Sequence, residues 1–181
     1  MKSFDFKDKK VLIRVDFNVP QDENLAVTDN TRIMAAAPTI KKVLAEGGIP
    51  VLMSHLGRPG GERVPKMSLS ALVDEVEKAV GATVHFAEDC IGDVAAAAVA
   101  KAKAGEAVLL ENLRYYKEET TGDKGFAEAL AALGDIYLND AFGTAHRAHA
   151  STAIVAQFFS TENKGFGDLM NAEVESISKA L

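Results

Sequence analysis

Asp135-Ile136-Tyr137-Leu138-Asn139-Asp140-Ala141-Phe142-Gly143-Thr144-Ala145-His146-Arg147-Ala148-His149-Ala150-Ser151 passes from a short apolar run into a loop of small residues, two histidines and an arginine. No simple core or turn requires that combination, so the run reads as a strand that ends in a functional loop. The same arrangement recurs upstream. Arg14-Val15-Asp16-Phe17-Asn18-Val19-Pro20, Ser54-His55-Leu56-Gly57-Arg58-Pro59 and Glu111-Asn112-Leu113-Arg114-Tyr115 each close an apolar run. Together with residues 83–86, the runs at 11–15, 51–54, 108–110 and 136–138 give five strand candidates. They are mostly short and apolar, as expected of a sheet covered on both faces.

Helical signals fall between the strands. Ile33, Ala37, Ile40 and Leu44 share one face of a segment stopped by Gly47-Gly48, and Pro38 predicts a kink or interruption in it. A clearer helix takes Ser68 as its N-cap, buries Leu69, Leu72, Val73, Val76 and Val80, and ends at Gly81. Residues 93–104 and 123–133 form two more, each opened by Asp and closed by Gly. A last helix starts at Asp168 with Met170, Val174, Ile177 and Leu181 spaced for one face. It lacks a C-terminal stop signal, which fits a truncated boundary as well as a native terminus. The alternation predicts an α/β fold: a three-layer, Rossmann-like parallel sheet with right-handed crossovers and helices on both faces.

The chain has 181 residues, enough for one well-buried domain and too few for two. Its 48% hydrophobic and 25% charged residues describe an ordinary globular protein. The apolar runs are strand-sized, which argues against a membrane span, and the charged N-terminus lacks a signal-peptide core. Cys90 is the only cysteine, which excludes an internal disulfide and agrees with a reducing compartment, so a cytoplasmic location is expected. A net charge of −6 argues against a nucleic-acid surface.

The arginines depart from this acidic background. Of six, Arg14, Arg32, Arg58, Arg114 and Arg147 lie in or just after the strand-end segments, and only Arg63 stands apart. Ligands of open parallel sheets sit beyond the carboxyl ends of the strands, where these segments converge. Guanidinium forks there would suit a small, strongly anionic ligand carrying phosphate or carboxylate, with Asp16 and Asn18 placed for a hydroxyl. Plainer roles stand beside these. Arg14, inside a strand, pairs with Asp16 or another acid; Arg32 and Arg114 serve a ligand or a surface ion pair; His55 serves the site or caps a strand. Arg58 and Arg147, in glycine-containing loops, favour function. His146 and His149 lack partners with metal-site spacing, so no zinc site is expected. Walker-A, dinucleotide, nucleophile-elbow and zincin motifs are all absent, and no nucleotide site is recognisable.

In order and in residues, the four strand-end segments resemble signature segments of the phosphoglycerate kinase family, specifically its N-terminal, phosphoglycerate-binding lobe. The resemblance spans nearly the whole chain. It implies a single domain over residues 1–181 that binds 3-phosphoglycerate or 1,3-bisphosphoglycerate. A C-terminal lobe, absent here, would hold ADP or ATP with Mg²⁺. Transferred by motif, Asp16 and Asn18 correspond to glycerate contacts. Arg32, His55, Arg58, Arg114 and Arg147 correspond to phosphate and carboxylate contacts, with Arg32 also facing the group in transfer. Gly57 and Gly143 would allow backbone amides to approach. Tyr115-Tyr116-Lys117 and Asn163-Lys164-Gly165-Phe166-Gly167-Asp168 depart from the family pattern. The isolated chain is then expected to bind without turnover, as half of a glycolytic transferase. The alternative is a stand-alone phosphate-ligand-binding module without catalysis.

Overall fold

The five apolar runs form parallel strands, and a sixth joins them at the edge. A computed structural model describes residues 1–141 and 147–180. The strands are β1 (Lys10–Arg14), β2 (Ile49–Met53), β3 (Val84–Ala87), β4 (Ala107–Leu110), β5 (Ile136–Asn139) and β6 (Lys164–Phe166). They lie in the order β3-β4-β2-β1-β5-β6, and every pairing is parallel. The sixth strand escaped the sequence reading because Lys164-Gly165-Phe166 has neither an apolar run nor an alternating pattern. It forms because β5 offers a free edge, with Leu138 opposite Gly165.

Alternate residues of β1 to β5 enter different cores, as the pleat requires. Val11, Ile13, Leu52, Leu109 and Leu138 pack on one face with Ile33, Ile40 and Val43 of helix α1 (Thr31–Ala45) and Val76 and Val80 of α2 (Val73–Val80). Leu12, Val51, Met53, Val108, Leu110 and Tyr137 pack on the other. There they meet Ala95 and Val99 of α3 (Gly92–Lys101), and Phe126 and Leu130 lying C-terminal to the short α4 (Glu118–Thr121), in α5 (Lys124–Ala131). The result is the expected three-layer Rossmann-like α/β fold.

Local differences have local causes. Helix α1 runs unbroken through Pro38, which removes one rung of its hydrogen-bond ladder while Ala37, Thr39 and Ile40 around it stay buried. Ser68 accepts from the Ser70 N–H at 3.1 Å, but the turn it caps, Leu69–Leu72, is a 3₁₀ turn leading into α2. Gly81 ends that helix at φ +69°, a conformation open to glycine at little cost. Asp123 caps α5 through the Phe126 N–H at 2.8 Å, whereas α3 starts one residue before Asp93 and has no side-chain cap. In the last helix, α6 (Asp168–Ala180), Met170 is buried while Val174 and Ile177 stay exposed, and Leu181, the fourth position of the expected apolar stripe, lies outside the described residues.

Candidate functional site

The carboxyl ends of β1, β2, β4 and β5 surround a cavity of about 330 Å³. Asp16 and Asn18 reach its wall from the segment after β1, and Arg32 reaches it from the first turn of α1. His55, Gly57 and Arg58 follow β2, Arg114 follows β4, and Arg147 follows β5. Gly143 and His146 lie outside the described residues. Every other position named above as a site residue therefore lines one cavity.

The loops are built to stay in place. The Asn18 Oδ1 accepts from the Gly57 N–H at 2.8 Å, which ties the β1 loop to the β2 loop. Gly57 holds φ +63°, and a side chain there would also press on the Met67 sulfur at 3.1 Å. Its own amide is thus engaged with Asn18 rather than turned to the cavity. Asn112, fully buried, accepts from the Leu56 and Arg114 N–H groups and donates to the Leu56 and Met67 carbonyls. Glu111 accepts from Ser68 Oγ, the Leu69 N–H and the Asn112 N–H.

Four guanidinium groups face the cavity, and their partners differ. Arg32 donates to the Asn18 carbonyl at 2.6 Å and approaches Asp16 Oδ1 at 3.5 Å, at the exposed lip. Arg58 and Arg147 are exposed and make no side-chain hydrogen bond or ion pair among the described residues. Burial, then the Arg14 charge, lowers the Arg114 pKa, with Glu119 acting in the opposite sense. The buried Arg114 Nε–H lacks a partner among the described residues, as does His149 Nδ1. A buried guanidinium donor left unmet costs free energy.

Arg14 departs from the expected pairing with an acid: among the described residues it makes no direct ion pair. It is fully buried beneath the cavity, where Nε donates to Ser151 Oγ at 2.8 Å, Nη1 donates to the Val15 carbonyl and Nη2 meets His55 Nδ1 at 3.0 Å. Its charge is balanced one residue further away. The equally buried Glu119, from α4, accepts from Ser151 Oγ at 2.5 Å and from the Ser151 N–H at 2.9 Å. His55 responds to these neighbours. Burial, then the charges of Arg14, Arg114, His149 and Arg32, pushes its pKa down to about 3, so the ring is neutral at pH 7.

Separate loops thus gather four cations around one neutral imidazole, in a protein of net charge −6, and guanidinium groups so placed are suited to oxyanions. The family model for phosphoglycerate kinase matches residues 1–181. The chain belongs to the phosphoglycerate kinase family. A phosphoglycerate kinase of Moorella thermoacetica is 49% identical over 181 residues, which are all of this chain and 45% of that protein. That of Porphyromonas gingivalis is 45% identical over 204 aligned residues, covering 100% of this chain and 49% of the relative. Among solved structures, the phosphoglycerate kinase of Coxiella burnetii superposes with a TM-score of 0.86 at 35% identity, covering 98% of this chain and 43% of the other. The chain thus spans less than half the length of these phosphoglycerate kinases, while almost all of its own length aligns with them.

Among the described residues, no helix is long and apolar enough to cross a membrane. The residues that hold the site from behind, Glu119 and Asn112, carried no functional signal of their own in the sequence. Glu119 sits in Lys117-Glu118-Glu119-Thr120, which reads as a solvated helix face. Asn112 lies in one of the strand-end segments, but its three side-chain hydrogen bonds to Leu56 and Met67 of other segments are a tertiary property.

Proposed function

We propose that this chain is the phosphoglycerate-binding lobe of a phosphoglycerate kinase, folded as one domain. It binds 3-phosphoglycerate or 1,3-bisphosphoglycerate, and a C-terminal lobe supplies the nucleotide for phosphoryl transfer to ADP. The observation that carries this reading is the convergence of Arg32, Arg58, Arg114 and Arg147 on one cavity with His55 and Asp16. Guanidinium groups suit phosphate and carboxylate oxygens, while Asp16 and Asn18 offer acceptors for a hydroxyl. A phosphorylated hydroxy-acid has all three groups.

Arg32 stands apart from the other contacts because it lies at the exposed lip, with its side chain 53% accessible. A cation there faces outward to the transferred group and would stabilise charge developing in phosphoryl transfer. The cavity does not suit Mg²⁺ itself. Its one carboxylate, Asp16, already accepts from the Asn18 N–H and faces Arg32, and the surrounding arginines repel a dication. Nucleotide and Mg²⁺ are therefore assigned to the other lobe, and this chain alone is inactive.

Calorimetric titration of the 181-residue chain with 3-phosphoglycerate tests the reading. Binding is expected, stronger than for inorganic phosphate and weakening as ionic strength rises, because charge-assisted contacts dominate. Absence of binding at millimolar ligand, or affinity indifferent to salt, overturns it.

A further inference from the structure

Beneath the cavity a buried chain of hydrogen bonds leads from Glu119 up to His55. The Glu119 carboxyl accepts from the Ser151 hydroxyl, which in turn accepts from Arg14 Nε, and Arg14 Nη2 lies 3.0 Å from His55 Nδ1. Arg14, Ser151 and Glu119 are fully buried, and His55 is 5% accessible. Every nitrogen of a guanidinium is a donor and none accepts. The contact with Arg14 therefore requires a bare, accepting Nδ1 on His55, and a neutral ring must then carry its proton on Nε2. Among the described residues Nε2 has no partner, and His55 lines the cavity.

We propose that Arg14, held by Ser151 and Glu119, is a positioning residue that fixes His55 in the tautomer presenting Nε2–H to the cavity, making His55 a neutral donor to a ligand oxyanion. The proposal rests on the site reading above for its ligand, but its tautomer claim stands on Arg14 and His55 alone. The alternative tautomer would turn a lone pair towards the anion and leave Arg14 without an acceptor. A neutral donor also adds no further cation to a cavity that already has four. The same relay joins β1 to the segment after Arg147, since Glu119 also accepts from the Ser151 N–H and its own carbonyl accepts from the Ala150 N–H at 2.9 Å. One buried arginine thus orients the histidine and anchors the loop of another site residue.

Two measurements test this. Ring ¹⁵N spectra of the 181-residue chain, with the His55 signals assigned by their loss in His55→Gln, report which nitrogen carries the proton. A bare Nδ1 and a protonated Nε2 are expected; a protonated Nδ1 overturns the proposal whether or not 3-phosphoglycerate binds. The second is a double-mutant cycle on 3-phosphoglycerate affinity, with circular dichroism confirming that each variant is folded. His55→Gln and Arg14→Met are each expected to weaken binding roughly tenfold, and the double variant to bind no worse than His55→Gln. A further roughly tenfold loss in the double variant would show that Arg14 acts independently of His55 and overturn the positioning role. Should Arg14→Met fail to fold, Arg14→Lys replaces it. With one of the donors retained, it is expected to keep the Nε2–H tautomer and bind more tightly than His55→Gln; a switched tautomer contradicts the proposal. If the unmodified chain binds no 3-phosphoglycerate, the site reading fails, and the ring spectrum still decides the tautomer.

Discussion

His55 is held neutral by its surroundings, with a pKa of about 3 where an ordinary histidine has 6.5. In the unfolded chain the ring takes up a proton near the ordinary value; in the folded chain it resists until far lower pH. The stability gained by keeping it neutral is therefore complete above about pH 6.5 and is lost as pH falls towards 3, by up to about 1.4 kcal/mol per unit. Urea unfolding at pH 7 and pH 5 should cost the unmodified chain about 2 kcal/mol more than His55→Gln. Equal losses would mean that the ring titrates freely. At the cavity rim, Arg58→Ala should weaken 3-phosphoglycerate binding by about 1.5–3 kcal/mol, the range for hydrogen bonds to charged groups. Arg63→Ala should change it little, because Arg63 reaches the Glu88 carbonyl, Asp89 and the Tyr115 ring instead. Calorimetry on both variants separates a specific site from general charge. The cavity arginines Arg58, Arg114 and Arg147 were legible because each lies in the segment that follows a strand, whereas Arg32 comes from the first turn of the next helix. The actual partners of Arg14 were not: Asp16 is close in sequence, yet its carboxylate faces Arg32 on the next helix, while Ser151 comes from the far end of the chain.

The short helix α4 shows how an element can matter to the site without lining it. Its Glu119 holds Ser151, and Gly122 at its end, with φ +70°, lets the Ala148 carbonyl approach within 2.5 Å of where a Cβ would stand. Gly81 ends α2 in nearly the same conformation, φ +69°, with nothing within 4 Å. Gly81→Ala should therefore cost about 1–2 kcal/mol for the left-handed backbone alone. Gly122→Ala should cost about 1–3 kcal/mol more for the clash, and should also weaken ligand binding by displacing the loop of Arg147. Thermal or urea unfolding of both variants checks this; equal destabilisation would remove α4 from the support of the site. The sequence concealed α4 because four residues give no helical period, just as three residues concealed β6. The long elements were legible because their apolar positions repeat, although their ends shifted, most of all where a 3₁₀ turn precedes α2.

At the scale of the molecule, the proposed function makes the chain one wall of a reaction site. Phosphoryl transfer needs donor and acceptor in line, with charge on the moving group neutralised from both sides. Arg32 at the open lip can serve one side, and no nucleotide motif serves the other. A coupled assay should accordingly find no ATP turnover by the 181-residue chain and turnover once it is joined to a family C-terminal lobe. Steady turnover by the chain alone would refute the division of labour. The central claim, that the strand-end cavity is the phosphoglycerate site, is tested most directly by amide ¹H–¹⁵N spectra recorded while 3-phosphoglycerate is added. Saturable shifts are expected at Asp16, Asn18, Gly57, Arg58, Arg114 and Arg147, with the opposite end of the sheet around Lys10 and Asp135 unmoved. Saturable shifts confined to that opposite end, or none at millimolar ligand, would contradict it.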